Sequence, residues 1–543
     1  MCESKKKASI MVRPLTQRKN WKHTKKSIIR KVVATSLTKR TSNHFSLFLI
    51  TILTLMLFSL ASKALANSYT NITVSEAKTM IDSNPSLVVL DVRNQSEYDS
   101  GHIRNAKLIP VYELELRLDE LDINDEILVY CKSGGRSSTA SQILSNNGFL
   151  HIYNMVGGIT AWVDEGYPVY VKYSSIQKAI NNASEGDTIF VSSGTYHEHV
   201  ILNKTVSLVG EDSENTIIQG NGTQTGLNIF NRNVNVTSFN IQNGTRGVYL
   251  TDYAYFCTIT DCKLVNNTIG IFVKSGDNVL NRNVIVNNTE SGIKIYASCS
   301  CSPVRGNIVT RNNLFNNSYG IQLINSDGSL VYHNNFIGNV HQATCSFGVN
   351  IWDNGYPAGG NYWGDYNGTD LYNGPEQNET GGDGIGDVPQ DVYFGIIEDD
   401  FPLMAPINLF DAGVWNGIPY NVDVISNSSV SDFYFNPDEG AFLRFNVIGQ
   451  DGTTGFSRVT IPKDLLWNED GWTVYVGDDQ ATPTVALDDK YTYLYFGYNH
   501  STKTIEIRGT HVIPEFPSLI ILPLFMIATL LAVIVYKKKS SVE

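Results

Sequence analysis

The sequence predicts a multidomain chain: an α/β unit with a parallel sheet flanked by helices, then a parallel β-helix, then a small β-sandwich, and a C-terminal transmembrane helix. Three observations carry this. Residues 70–170 alternate apolar strand-like runs with helix-like ones, residues 172–406 repeat short β runs punctuated by Asn and Gly, and the C-terminal end carries an uncharged apolar run beside lysines. At 543 residues the chain exceeds what one hydrophobic core organises.

Residues 1–66 come first. The first 40 residues hold thirteen Lys or Arg against one acid, and the remainder holds 28 basic against 52 acidic residues. The basic start runs into the apolar stretch Phe45 to Phe58, followed by Ala64-Leu65-Ala66 at the spacing a signal peptidase reads, so the segment is expected to be a signal peptide or signal anchor. The acidity of the rest, with no basic stripe, excludes nucleic acid as a partner, because phosphates demand Lys and Arg.

In residues 70–170, Leu87 to Leu90 and Ile127 to Tyr130 read as strands, and Val74 to Ile81 and Ser137 to Leu144 as helices. The second strand delivers Cys131-Lys132-Ser133-Gly134-Gly135-Arg136-Ser137 directly into a helix. A cysteine facing a helix N-terminus has its thiolate stabilised by unpaired N–H groups and the positive end of the dipole. Gly134 and Gly135 let the backbone curl around the sulfur, Arg136 offers a planar fork suited to a sulfate-like oxyanion, and Lys132 adds a softer charge. The loop reads as an anion cradle with a nucleophile, Cys131, at its centre.

Here the sequence resembles the rhodanese superfamily. The matching elements, in the family's order, are Leu90-Asp91-Val92-Arg93, Glu97-Tyr98, Gly101-His102-Ile103 with Ala106, Ile109-Pro110, the Cys131 loop, and Gly157-Gly158-Ile159-Thr160-Ala161-Trp162. The resemblance implies that Cys131 attacks a sulfane sulfur, for instance of thiosulfate, becomes a persulfide, and passes the sulfur to a thiol or cyanide acceptor. Residues 132–137 would hold the persulfide, and Asp91, Arg93 and Glu97 would brace the fold beside it. Cysteine phosphatases of related fold use a loop one residue longer; the four residues between Cys131 and Arg136 fit the smaller sulfur-transfer loop.

From residue 172 the texture changes. The segments ending in Gly247, Gly270, Gly292 and Gly320 echo one another at intervals of 23, 22 and 28 residues. A coil of about 22 residues suits a parallel β-helix, whose rungs bury their apolar residues only against the rungs above and below. Asn recurs at corners because it tolerates the left-handed conformation and can hydrogen-bond along a stack. The longest interval holds Cys299-Ser300-Cys301-Ser302-Pro303, read as a protruding loop. Tyr173 to Ile180, Gly186 to Val191 and Gly194 to Tyr196 resemble the opening of right-handed parallel β-helix proteins. Gly360 to Trp363, Asp383 to Asp387 and Pro402 to Met404 look like the closing region of the NosD-like, periplasmic copper-binding group.

That resemblance implies copper, for which His197, His199, His333 and His341 are the available histidines; Asp383 and Asp387 in a Gly-rich loop are candidates for calcium. No metal set with recognisable spacing emerges, and the sulfur chemistry requires no cofactor. A polysaccharide along the coils is another expected ligand, with no carboxylate pair visible in sequence. Five cysteines, Cys257, Cys262, Cys299, Cys301 and Cys345, allow at most two bridges and leave one thiol over.

Residues 407–512 alternate as in Ala441 to Val447 and Tyr491 to Tyr498, which predicts a small sandwich acting as a stalk. Residues 513–543 hold Pro514-Glu515-Phe516-Pro517, an apolar run from Leu519 to Tyr536, and Lys537 to Lys539, which predicts a transmembrane anchor with everything before it outside. The motif resembles sorting signals of archaeal surface proteins, and fourteen Asn-x-Ser/Thr sequons suit a glycosylated exterior. The functional expectation is a membrane-anchored, extracytoplasmic sulfurtransferase with the β-helix as binding or spacer module. The alternative is a surface adhesion, carbohydrate-binding or metal-binding protein whose Cys131 domain does not turn over.

Overall fold

The computed structural model describes residues 69–512, apart from 416–417, 436, 438–439 and 470. The basic and signal segment expected over 1–66 and the Pro-Glu-Phe-Pro motif, apolar run and lysine tail over 513–543 lie outside the described residues. The expected transmembrane helix is therefore corrected: among the described residues no helix is long and apolar enough to cross a membrane. The longest, at 12 residues, reaches only about 18 Å at ~1.5 Å per residue, against ~30 Å of hydrocarbon.

The first sheet holds β1 (Thr70–Ile72), β2 (Val88–Asp91), β3 (Lys107–Leu108), β4 (Glu126–Tyr130) and β5 (His151–Met155), in the order β1-β5-β4-β2-β3 and parallel throughout. Helices α1 (Val74–Ser83), α2 (Gln95–Asp99), α3 (Gly135–Asn146) and α4 (Gly158–Asp164) accompany it. Two apolar clusters form, one around Leu90, Val129, Ala140 and Leu144, the other around Val89, Leu128, Met155 and Trp162. β4 contributes to both, because alternate side chains of a strand point to opposite faces.

From Thr188 the chain winds into a solenoid of three parallel sheets with eight, seven and seven strands. Helix α5 (Ile176–Asn182) closes its first coil with Ile176 and Ile180 buried in the core. Gly247, Gly270, Gly292 and Gly320 stack in one column, where a Cβ on each would lie 2.4–2.7 Å from a carbonyl of the next coil. The repeat glycine is thus a packing requirement. The Asn-Asn pairs divide two tasks. Asn266, Asn287 and Asn316 take positive φ and turn the corner. The next residue, Asn267, Asn288 or Asn317, points inward and accepts the N–H of its counterpart one coil earlier at 2.8–3.0 Å. A second ladder runs Asn283, Asn312, Asn334, Asn361 and ends on Asp399. Cys262 and Cys257 occupy the first slots of such ladders, donating their N–H to Asn283 and Asn278. They are core residues: Cys257, Cys262 and Cys345 are buried free thiols, and the bridge joins Cys299 to Cys301.

Two antiparallel five-stranded sheets between Ile407 and Arg508 enclose a core around Val424, Phe445, Val459 and Leu494. This sandwich leans back on the solenoid: Arg311 grips Asp423 at 2.7 Å, and Asn335 bonds both the N–H and the carbonyl of Ile407 at 2.9 Å. At the opposite junction His102, stacked on Tyr98, reaches Glu211 Oε1 at 2.9 Å. The buried Glu211 carboxylate also accepts the N–H groups of Asn105 and Ser193, and it is held below the usual carboxylate range because these bonds and His102 outweigh the opposing effect of burial. The α/β unit is thereby fixed to the first coils.

Candidate active site

β4 ends at Tyr130 and Cys131 follows at the base of the Lys132–Gly134 loop, 1% exposed. No side chain caps α3, which starts at Gly135 after Gly134 at φ +103°. Its first-turn N–H groups are left for the sulfur. Gly134 N donates to Cys131 Sγ at 3.2 Å. Burial pushes the thiol up, but bonds from the Ser137 hydroxyl and from the N–H groups of Ser137, Ser133 and Gly134 outweigh it and hold the thiol below its ordinary value.

Three carbonyls at the loop are engaged away from the sulfur by backbone and hydroxyl donors. Cys131 O accepts Ile159 N at 2.8 Å, Lys132 O accepts Thr160 N at 3.1 Å, and Gly134 O accepts Ser138 N and Ser137 Oγ, both at 3.1 Å. The donors Ile159 and Thr160 lie in the first turn of α4, behind Gly157 and Gly158. At Gly158, φ is +60° and a Cβ would stand 2.5 Å from Cys131 O. The Gly-Gly pair is what lets a second backbone press against the back of the loop.

Arg136 does not offer its fork to the sulfur. Both its terminal nitrogens bind the Glu97 carboxylate at 2.7 Å, and the pair pulls Glu97 down to about 2. Lys132 is exposed and makes no ion pair among the described residues. Asp91 and Arg93 form a buried ion pair at 2.6 Å, with Arg93 also donating to Gly101 O and lying over the Tyr130 ring. They brace the end of β2 beside β4. Of the expected residues, then, Cys131, Ser133, Gly134 and Ser137 converge on the sulfur; Arg136 and Glu97 pair at the rim; Asp91 and Arg93 lie beneath. Glu211 was missed, since it lies 109 residues from His102; the buried pairing leaves no local signal.

The copper and calcium candidates do not come together. His197 is exposed, while His199 is engaged by Thr225 O and Asn228. His333 is buried on Ala358 O and pushed down to about 4 by that burial, and His341 stacks on Tyr319. Asp383 accepts Ile385 N, and Asp387 accepts the N–H groups of Leu371 and Tyr372. Among the described residues no three His, Cys, Asp or Glu gather as a metal site, so the donor set does not fit copper.

Residues 73–165 match the family model described as a rhodanese-like domain, and residues 165–368 that of a periplasmic copper-binding protein (NosD). A putative sulfur carrier protein of Bacillus subtilis (strain 168) is 40% identical over 97 residues, 18% of this chain and 52% of its own; the chain thus spans about half that relative's length. A sulfurtransferase of Allochromatium vinosum is 32% identical over 83 residues, covering 15% of this chain and 78% of its own. Thiosulfate sulfurtransferase 18 of Arabidopsis thaliana is 34% identical over 125 residues, covering 20% of this chain and 90% of its own. With its cysteine loop, its Gly157-Gly158 backing and these relatives covered over most of their lengths, the chain belongs, through residues 73–165, to the rhodanese-like family.

Proposed function

We propose that this chain is an extracytoplasmic sulfurtransferase. Its Cys131 thiolate attacks the outer sulfur of a donor such as thiosulfate; the donor's S–S bond breaks, sulfite leaves with the electron pair, and Cys131 carries a persulfide. A thiophilic acceptor, a thiol or cyanide, then takes the terminal sulfur and returns Cys131 as thiolate. The observation that carries this is the convergence of the Ser133, Gly134 and Ser137 N–H groups and the Ser137 hydroxyl on one low-pKa sulfur. The same donors serve both thiolate and persulfide anion, so the charge stays solvated by the protein through the cycle. Lys132, at the exposed mouth, draws the anionic donor in. Glu97 positions Arg136 at the rim, and Asp91 and Arg93 hold the strand end that presents Cys131.

The extracytoplasmic placement is supported by the match of residues 165–368 to a periplasmic family. The solenoid serves as binding or spacer module, and a polysaccharide suits its face. There the Arg246 guanidinium lies over Tyr249 and Phe272 at 4.9 and 5.0 Å. The test is thiosulfate-to-cyanide transfer by wild type and Cys131→Ser. Turnover that vanishes with the cysteine supports the reading; two inert proteins with several donors would leave the binding alternative.

A further inference from the structure

Four of the described cysteines are buried: Cys131 in its loop, and Cys257, Cys262 and Cys345 in the solenoid. Burial pushes Cys257 up to about 11 and Cys262 up to about 12, and raises Cys345, so these three are inert. Cys299 and Cys301 differ in every respect. They are bridged across a single residue, and Ser298 to Ser302 are all exposed. Their loop supplies the extra residues of the longest coil, after strand Ser291–Tyr296 and before Val304–Arg305. Nothing in the packing of the solenoid needs a bridge there, since the flanking strands keep their parallel partners. An exposed bridge in so small a ring is open to thiol nucleophiles, and such bridges are the labile ones.

We propose that Cys299–Cys301 is a redox-active site whose dithiol form is the acceptor for the sulfane sulfur carried on Cys131; the proposal rests on the persulfide reading given above. The Cys301 N–H donates to Cys299 Sγ at 3.1 Å and marks Cys299 as the attacking thiolate. Cys299 takes the terminal sulfur of the Cys131 persulfide, whose S–S bond breaks and returns Cys131 as thiolate. The Cys301 thiolate then attacks Cys299 Sγ, closing the bridge and expelling hydrosulfide. Two electrons pass from the dithiol to the sulfane sulfur; one thiol proton leaves with the hydrosulfide and the other goes to solvent. An external dithiol reductant reopens the bridge for the next cycle. The loop stands four coils beyond the first, about 19 Å at ~4.8 Å per coil, so the transfer runs between two chains.

The experiment uses the full chain, reduced with a phosphine, freed of reductant under argon and given one equivalent of thiosulfate without cyanide. Wild type releases about one sulfide per chain, the 299–301 peptide loses two hydrogens, and the rate rises with chain concentration. The Cys299→Ser/Cys301→Ser variant keeps its Cys131 persulfide and its transfer to cyanide, but releases sulfide at least tenfold more slowly. A wild type that holds its persulfide beside two free thiols overturns the proposal, as does a double variant that releases sulfide like wild type. Glutathione persulfide given to Cys131→Ser separates the two readings. If that variant releases sulfide while wild type gains no persulfide from thiosulfate, the pair is a competent dithiol and the role of Cys131 is what has failed.

Discussion

Replacing Ser137 by Ala removes one of the four donors that lower the Cys131 thiol and leaves the three backbone N–H groups, Gly134 N at 3.2 Å from the sulfur among them, in place. A bond to a charged acceptor contributes about 1.5–3 kcal/mol, and ~1.4 kcal/mol corresponds to one pH unit in a titration. The full effect would thus be one to two units. The Ser137 hydroxyl has a competing acceptor, however, since Gly134 O lies 3.1 Å away, and one proton serves one acceptor at a time. The low end follows: the midpoint of Cys131 alkylation by iodoacetamide against pH moves up by about one unit. Ser137→Ala leaves no hole at the rim, because the residue is buried in the first turn of α3 and Ala is a good helix former. The assay is rate of alkylation from pH 5 to 10, with the modified peptide identified by mass. An unchanged midpoint would refute the claim that side-chain and backbone donors together set the reactivity of the sulfur; a fall in midpoint would refute its sign.

Three other outcomes follow from the same structure. Gly158→Ala puts a Cβ at 2.5 Å from Cys131 O at φ +60°, costing about 2 kcal/mol or more, and sulfur transfer to cyanide falls at least tenfold while the far-ultraviolet circular dichroism is retained. Asn312→Ala removes the acceptor of the Asn283 N–H and side-chain amide and the donor to the Leu280 carbonyl inside the solenoid; urea unfolding shows a loss of about 2–4 kcal/mol. Asp399 is buried, and burial pushes it up to about 7 despite the donors Asn361 N and Trp363 Nε1. A raised carboxyl binds its proton more tightly in the folded state, so its contribution is present at low pH and is lost as pH rises from about 4 through about 7, by up to ~1.4 kcal/mol per unit. Urea midpoints of wild type minus Asp399→Asn, taken from pH 4.5 to 7.5, therefore decline with pH; a flat difference sinks this assignment.

The sequence made the local features legible. Cys131 to Ser137 sit in one turn and at one helix end, so their order alone shows the cradle, and the glycine period of the coils shows the solenoid because each rung meets only its neighbours. Pairings between distant residues were not legible. Arg136 was expected to face an oxyanion, yet Glu97, 39 residues earlier, fills its fork. Glu97, expected to brace the fold beside the site, pairs with Arg136 at the rim. The contact between the sandwich and the solenoid through Arg311 and Asp423, 112 residues apart, had no local signal either. The cysteine count allowed at most two bridges with one thiol over; one bridge forms, three of those five cysteines are buried core thiols, and two of them fill ladder slots that Asn holds in later coils.

The central claim is that Cys131 carries sulfur. The most direct measurement is mass spectrometry of the Cys131 peptide after the chain meets thiosulfate, before any acceptor is added. The account predicts a mass increase of one sulfur atom on Cys131, lost on adding cyanide with equimolar thiocyanate formed, and absent in Cys131→Ser. A Cys131 that alkylates readily yet gains no sulfur from thiosulfate or from a low-molecular-weight persulfide would contradict it.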